Sequence, residues 1–264
     1  MDLRLSARRA LVTGSTAGIG FAIASGLARE GARVIVNGRT EERVAGALGR
    51  LRREVATADV EGVAADLATA AGCDHLVRRH PDVDILVNNV GIFEAKPFHE
   101  VGDAEWLRFF EVNVLSGVRL SRHHLPRMLA RGFGRVLFIS SESGLQIPVE
   151  MIHYGVTKTA QIALARGLAE LTRGSAVTVN SILPGPTRSE GVDAFVQSLA
   201  RQEARSAAEV EREFFRTARP SSLLQRFATP AEVAALVTFV ASEEASAVNG
   251  AALRVDGGVV RAIP

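Results

Sequence analysis

The chain of 264 residues predicts an open α/β fold, a parallel sheet with helices packed on both faces. Three observations predict it. Short Val/Ile/Leu runs alternate with longer amphipathic stretches along nearly the whole length. These runs lack polar alternation, as expected of strands buried on both faces. The first run ends in a glycine-rich turn, "TGSTAGIG" (13–20), which opens the first helix.

Taken in order, "ALVTG" (10–14) reads as a strand and residues 18–31 as a helix closed by Gly31. A strand follows at 33–38 and a helix at 40–54. Thr40 is its N-cap candidate. The residue three further on is Arg43, so no full capping box forms, but Glu41 and Glu42 suit the first turn. Residues 62–67 read as a strand, 71–80 as a helix and 82–89 as a strand. A long helical region spans about 103–131, with an interruption expected near Gly117. Strands at 134–140, 176–183 and 251–258 enclose a helix at 154–173 that ends near Gly174. Between about 186 and 229 charged helical text breaks the rhythm, which reads as a substrate-lid insertion in one domain spanning 1–264.

A 47% hydrophobic share supplies a sizeable core. With 31 basic against 29 acidic residues and no long basic block, the chain lacks the electrostatic footprint of a nucleic-acid binder. The basic stretch "LARGFGR" (129–135) reads as a solvated helix end. The single cysteine, Cys73, excludes an intramolecular disulfide and any Cys-rich metal site, and no metal is expected. No run reaches the ~18–20 apolar residues that span a bilayer. The first residues lead straight into a strand without an apolar leader, so a cytoplasmic enzyme without membrane attachment is expected.

Gly14, Gly18 and Gly20 mark a turn whose backbone can approach a pyrophosphate at a helix N-terminus, with Ser15, Thr16 and Ile19 beside them. An acid at the end of the second strand would grip a ribose 2′-hydroxyl and repel a 2′-phosphate. Here that place holds Asn37, Gly38, Arg39 and Thr40, with no acid before Glu41. An arginine pairs well with phosphate, so NADP(H) is favoured and NAD(H) is the alternative.

The chain's only tyrosine, Tyr154, precedes Lys158 by four, which puts both on one helix face. An ammonium there would stabilise the phenolate and lower the tyrosine's pKa from its ordinary value near ~10. Ser140 and Ser141 end the preceding strand, and either can hold a carbonyl oxygen as charge develops on it.

"TGSTAGIG", "NNVG" (88–91), Asn113 in "EVNV", Ser141, "YGVTK" and "PGPTRS" stand in the order and spacing of the short-chain dehydrogenase/reductase family. The chain resembles that family from about residue 8 to 258. The resemblance implies a Rossmann-type, doubly wound sheet of about seven strands in the order 3-2-1-4-5-6-7. It also implies a catalytic set of Asn113, Ser141, Tyr154 and Lys158, and selects Ser141 over Ser140. Tyr154 would be the acid in reduction and the base in oxidation. Lys158 would lower its pKa and bind the nicotinamide ribose, and Asn113 would hold a water in a proton relay.

By the same resemblance Asp66 and Leu67 would contact adenine, while Asn88, Asn89 and Gly91 would sit near the cofactor. Pro184, Gly185, Thr187 and Ser189 would line the nicotinamide side. Ala17 stands where NADP-preferring members often carry a basic residue. The implied activity is hydride transfer between nicotinamide and a small carbonyl or secondary-alcohol substrate, with NADPH-dependent reduction favoured. An NAD-dependent alcohol dehydrogenase and a 3-oxoacyl-carrier reductase are alternatives. A non-catalytic nucleotide sensor is the rival of another class. Family members are usually tetramers or dimers, which would pack the helical segments 104–131 and 154–173.

The pocket wall is expected from 142–153 (Leu145, Ile147, Val149, Met151) and from the insertion (Val192, Phe195, Leu199, Phe214, Phe215, Leu223, Leu224). Glu142 and His153 read as solvent-exposed neighbours of the site. The insertion's arginines, Arg219 among them, read as one solvated helix face.

Overall fold

Seven parallel strands form one sheet in the order β3-β2-β1-β4-β5-β6-β7, as the resemblance implies. The computed structural model describes residues 3–202 and 205–263, without the side chains at 190, 191, 194, 195 and 199. The pocket positions expected at Phe195 and Leu199 therefore lie outside the described side chains. The strands are β1 (Arg9–Val12), β2 (Arg33–Gly38), β3 (Val60–Ala64), β4 (Ile85–Asn88), β5 (Gly134–Ile139), β6 (Val177–Pro184) and β7 (Ala252–Val255). The helices are α1 (Gly18–Arg29), α2 (Glu41–Glu54), α3 (Ala70–Arg79), α4 (Asp103–Phe110), α5 (Ser116–Arg131), α6 (Ile152–Glu170), α7 (Glu190–Gln202), α8 (Ala207–Thr217) and α9 (Pro230–Val240).

Period-two side-chain direction sends alternate strand residues into two cores. Ala10, Val12, Val34 and Val36 join Ile23, Leu27, Leu51 and Val237 under α1, α2 and α9. Leu11 and Ile35 join Leu76, Leu120, Met128, Phe138 and Ala165 under α3, α5 and α6. A third, smaller cluster belongs to the insertion itself, where Phe215 and Phe227 meet Val196 and Val210. A parallel bridge between Thr187 and Ala228 closes the insertion at its base.

Several boundaries differ from expectation. β3 lies at 60–64 rather than 62–67, because it pairs with β2 only as far as Gly38, the last residue of that strand, and Asn37 Nδ2 takes up the carbonyls of Val63 and Ala65 there. α6 starts at Ile152, not 154, so Tyr154 falls in its first turn. The break in the 103–131 region is a π-helical turn at Glu111–Leu115, where Ser116 N–H bonds back to the Glu111 carbonyl. Gly117 stays inside α5, where a Cβ would stand 2.8 Å from the Phe138 ring. α9 is apolar nearly all round and so shows no helical period, but Thr229 and Glu232 form a full capping box before it. As expected, Thr40 caps α2 by accepting from Arg43 N–H.

The 129–135 stretch is a solvated helix end only as far as Gly132, after which Gly134 and Arg135 are buried in β5. Arg135 is the largest fully buried side chain among the described residues, and its guanidinium donates to the carbonyls of Ser242 (3.0 Å), Gly134 (2.9 Å) and Ala176 (2.8 Å). Among the described residues no helix is long and apolar enough to cross a membrane.

Candidate active site

The glycine turn is locked from two sides. Asn37 at the end of β2 accepts from Gly14 N–H (3.2 Å), and its own N–H donates to Ser15 Oγ (3.0 Å). Asn89, just past β4, donates from Nδ2 to the carbonyls of Thr13 (2.9 Å) and Gly14 (3.1 Å). Gly14 has a φ of 59°, the left-handed region that glycine adopts without strain. Gly20 has no room for a side chain, since a Cβ would stand 2.5 Å from Asn89 Nδ2 and from the Gly14 carbonyl. α1 therefore begins directly on the turn, and its N-cap Ala17 offers no side-chain acceptor. Its first N–H groups are a ready anion cradle, which fits a dinucleotide pyrophosphate. The start of the insertion faces this cradle, with Ser189 Cβ 3.8 Å from where a Cβ on Gly18 would lie.

At the end of β2 the Asn37 amide is wholly engaged in shaping the loop, as it bonds Gly14, Val63 and Ala65. Arg39 and Thr40 are exposed. Arg50 reaches across from α2 to bond the Thr16 carbonyl and lies over the Phe21 ring, 4.6 Å from its centroid. Thr16, Arg43, Arg50 and Arg53 line an open cleft of about 410 Å³ there. α2 thus delivers positive charge beside Ala17, where the local sequence has none. Asp66 is exposed with Oδ1 accepting from Ala68 N–H (3.1 Å), and Leu67 is buried.

The candidate reacting groups gather at the carboxyl ends of β4, β5 and β6, where open α/β sheets bind ligands. The two serines have separate fates. Ser140 Oγ donates to the Lys158 carbonyl (2.8 Å), tying β5 to α6, whereas Ser141 faces Tyr154 and bonds the carboxylate of Glu142. Lys158 Nζ donates to the Ile139 carbonyl (2.9 Å) and to Gln161 Oε1 (3.1 Å). Gln161 Nε2 in turn donates to the Asn113 carbonyl (2.5 Å). That carbonyl lies in the π-helical turn, whose wider spacing brings it to a side-chain donor. The Asn113 side chain bridges Ile92 N–H (2.8 Å), the Ile92 carbonyl (3.0 Å) and Thr157 Oγ1 (2.9 Å). Gly91 passes close by, with a Cβ position 3.3 Å from Lys158 Nζ.

Burial dominates the electrostatics of the site. Tyr154 is pushed up from its ordinary pKa, first by burial and then by the charge of Glu142, while Ser141 and Arg219 oppose the rise. Burial holds Lys158 itself down at about 7, and its Nζ bonds Ile139 and Gln161 while lying 5.6 Å from the Tyr154 ring centroid. Glu142 and Arg219 are not solvated either. Glu142 is 4% and Arg219 8% exposed, and Arg219 Nε lies 3.4 Å from Glu142 Oε1. His153 is buried as well, edge-on to Phe109 at 4.3 Å between centroids, and burial lowers its pKa. Thr187 Oγ1 turns back to the Gly185 carbonyl (2.9 Å), and Ser189 Oγ accepts from Val192 N–H (3.3 Å). Leu145, Ile147, Val149 and Leu223 are exposed, and Phe93 meets Tyr154 edge-on at 6.3 Å.

Residue-by-residue reading missed Gln161, Arg50, Phe93 and the burial of the Glu142–Arg219 pair. Only Gln161 carries a local signal, three positions after Lys158 on the same helix face. Arg219 lies 77 residues from Glu142, and no local pattern joins them.

A doubly wound parallel sheet with an anion cradle after β1, and a Ser–Tyr–Lys cluster at its carboxyl edge, define a dinucleotide-binding architecture built for chemistry. The chain belongs to the short-chain dehydrogenase family, whose model matches residues 8–210. It is 50% identical to the uncharacterized oxidoreductase YvaG of Bacillus subtilis (strain 168) over 100% of both chains. It is 33% identical to a D-beta-hydroxybutyrate dehydrogenase of Cupriavidus necator, covering 97% of this chain and 99% of that one. L-sorbose reductase from Gluconobacter frateurii, solved with NADPH and L-sorbose, superposes with a TM-score of 0.94 at 31% identity over 100% of both chains.

Proposed function

We propose that this oxidoreductase reduces a small carbonyl compound with NADPH, using Ser141, Tyr154 and Lys158 with Asn113 behind them. The observation that carries the reading is the meeting of Ser141, Tyr154 and the Lys158–Gln161–Asn113 chain beside the glycine cradle. When bound, the nicotinamide nucleotide supplies the hydride. Ser141 orients the carbonyl oxygen, and Tyr154 delivers the proton to it as charge develops. A raised tyrosine pKa keeps the phenol protonated at neutral pH, which suits the acid's part in reduction. Lys158, held by burial at about 7 and anchored by Ile139 and Gln161, would reach the nicotinamide ribose in this reading.

Support for NADPH over NADH comes from Arg39 at the end of β2, from Arg43 and Arg50 around Thr16, and from the lack of an acid before Glu41. The substrates named for the relatives run from L-sorbose to D-beta-hydroxybutyrate, so they do not choose one. An assembly of two or four copies through the α4–α5 and α6 faces belongs to the same reading, and Leu107 on α4 is 67% exposed there. The test is nucleotide oxidation against a carbonyl panel, with Tyr154→Phe as control. Loss of turnover by ~10³-fold or more in Tyr154→Phe, with nucleotide binding kept, is expected. Equal nucleotide binding by both proteins with no turnover by either would favour a sensor.

A further inference from the structure

A buried carboxylate stands beside the serine that holds the substrate oxygen, and it already has two donors. Glu142 Oε2 accepts the Ser141 hydroxyl, and Oε1 faces Arg219 Nε at 3.4 Å. Arg219 is itself anchored, with Nη1 donating to Glu150 Oε1 (3.1 Å) and to the Ala218 carbonyl (2.8 Å). It stands two residues past the end of α8, so the insertion pins the carboxylate in place. Side-chain exposures of 6% for Glu142 and 10% for Arg219 leave little water to replace a lost partner.

A hydroxyl has one hydrogen to donate. In the proposed reaction the Ser141 hydrogen turns to the substrate's carbonyl oxygen, and Glu142 Oε2 loses its donor. A simple ketone would leave that oxygen bare in a buried site, which costs binding. A hydroxyl on the carbon next to the carbonyl restores the lost bond from the substrate side. We propose that Glu142, oriented by Arg219, is a specificity determinant that selects neutral α-hydroxy ketones, with ketoses in the same chemical class. The inference rests on the carbonyl-reductase reading of the site. In the step itself hydride adds to the carbonyl carbon and the C=O π pair moves onto oxygen. Tyr154 protonates that oxygen, giving a vicinal diol as the nicotinamide is oxidised. A substrate carboxylate at the same place would confront Glu142, and the guanidinium that could offset it is already engaged by Glu142 and Glu150.

The test compares 3-hydroxy-2-butanone, 2-butanone and acetoacetate as substrates of the full chain with NADPH and with NADH. The wild type is expected to show kcat/KM for the hydroxy ketone at least ~10-fold above 2-butanone. Replacing the pair by apolar residues, Glu142→Leu with Arg219→Leu, avoids stranding one charge. In that variant the ratio should fall to about one. Glu142→Gln, which keeps size and a weaker acceptor, should lower the ratio several-fold and so covers the case in which the double variant fails to fold. Equal use of 2-butanone by the wild type, or a ratio unchanged in the variants, overturns the proposal alone. Preference for acetoacetate that disappears in Arg219→Leu also overturns it and makes Arg219 a carboxylate anchor. No turnover of any ketone with either nucleotide overturns the reductase reading and the proposal together.

Discussion

Burial changes the acid–base chemistry of Lys158, holding it at about 7 against 10.5 ordinarily, and only the Glu142 charge works the other way. Between these values the unfolded chain binds a proton that the native chain does not, so stability rises with pH there and falls as pH drops toward 7. Unfolding free energies of wild type and Lys158→Met, measured from pH 7 to 10, should shift in favour of wild type by on the order of 1 kcal/mol per pH unit. A flat difference would mean that the lysine is charged and well solvated in the native state. Gln161 acts through this lysine, since it accepts from Nζ and donates to the Asn113 carbonyl. Gln161→Leu is near in shape but cuts both bonds, so kcat should fall roughly tenfold with a displaced pH profile. A change in thermal stability alone, with kcat and pH profile intact, would reduce Gln161 to packing. Tyr154 and Lys158 were legible in the sequence because helix periodicity links positions four apart. The Glu142–Arg219 contact was not, because it joins β5's exit to a chain segment 77 residues on.

At the level of elements, strands and helices were readable wherever apolar period and flanking turns agreed, as in β1, α1, β2 and α2. Boundaries moved where a partner strand sets the limit, since β3 ends with the last residue of β2, whereas the break expected near Gly117 is the π-helical turn just before it. α9 shows the converse case, in which strong local capping fixes a helix that has no amphipathic period. Thr229 Oγ1 accepts from Glu232 N–H (3.2 Å), and the Glu232 carboxylate accepts from Thr229 N–H (2.7 Å). α9 packs tightly on α1, where a Cβ on Gly26 would stand 2.7 Å from Thr238 Oγ1. Thr229→Ala should therefore cost about 1 kcal/mol and lower Tm by about 2–4 °C. An unchanged Tm would show that packing against α1 alone fixes the helix.

For the whole molecule, the sheet decides which distant residues share the nucleotide cleft. β1 lies between β2 and β4, so the glycine turn is braced by Asn37 on one side and Asn89 on the other. The same order sets α2 against the turn, and Arg50 delivers a positive charge to the Thr16 carbonyl. The sequence around Ala17 gives no hint of that charge, since it comes from 34 residues downstream. In the proposed reading, nucleotide preference would rest on the β1–α1 and β2–α2 units together. Arg39 is exposed at the end of β2 and forms no ion pair or side-chain hydrogen bond among the described residues, so its guanidinium is free to meet a 2′-phosphate. Thermal-shift titration should show greater stabilisation by NADPH than by NADH at equal concentration. Arg39→Ala should weaken NADPH roughly tenfold, the size of one charge-assisted contact, with a much smaller effect on NADH, which lacks the phosphate. Larger stabilisation of the wild type by NADH, or equal losses for both nucleotides in Arg39→Ala, would place the 2′-position away from Arg39 and reverse the assigned preference.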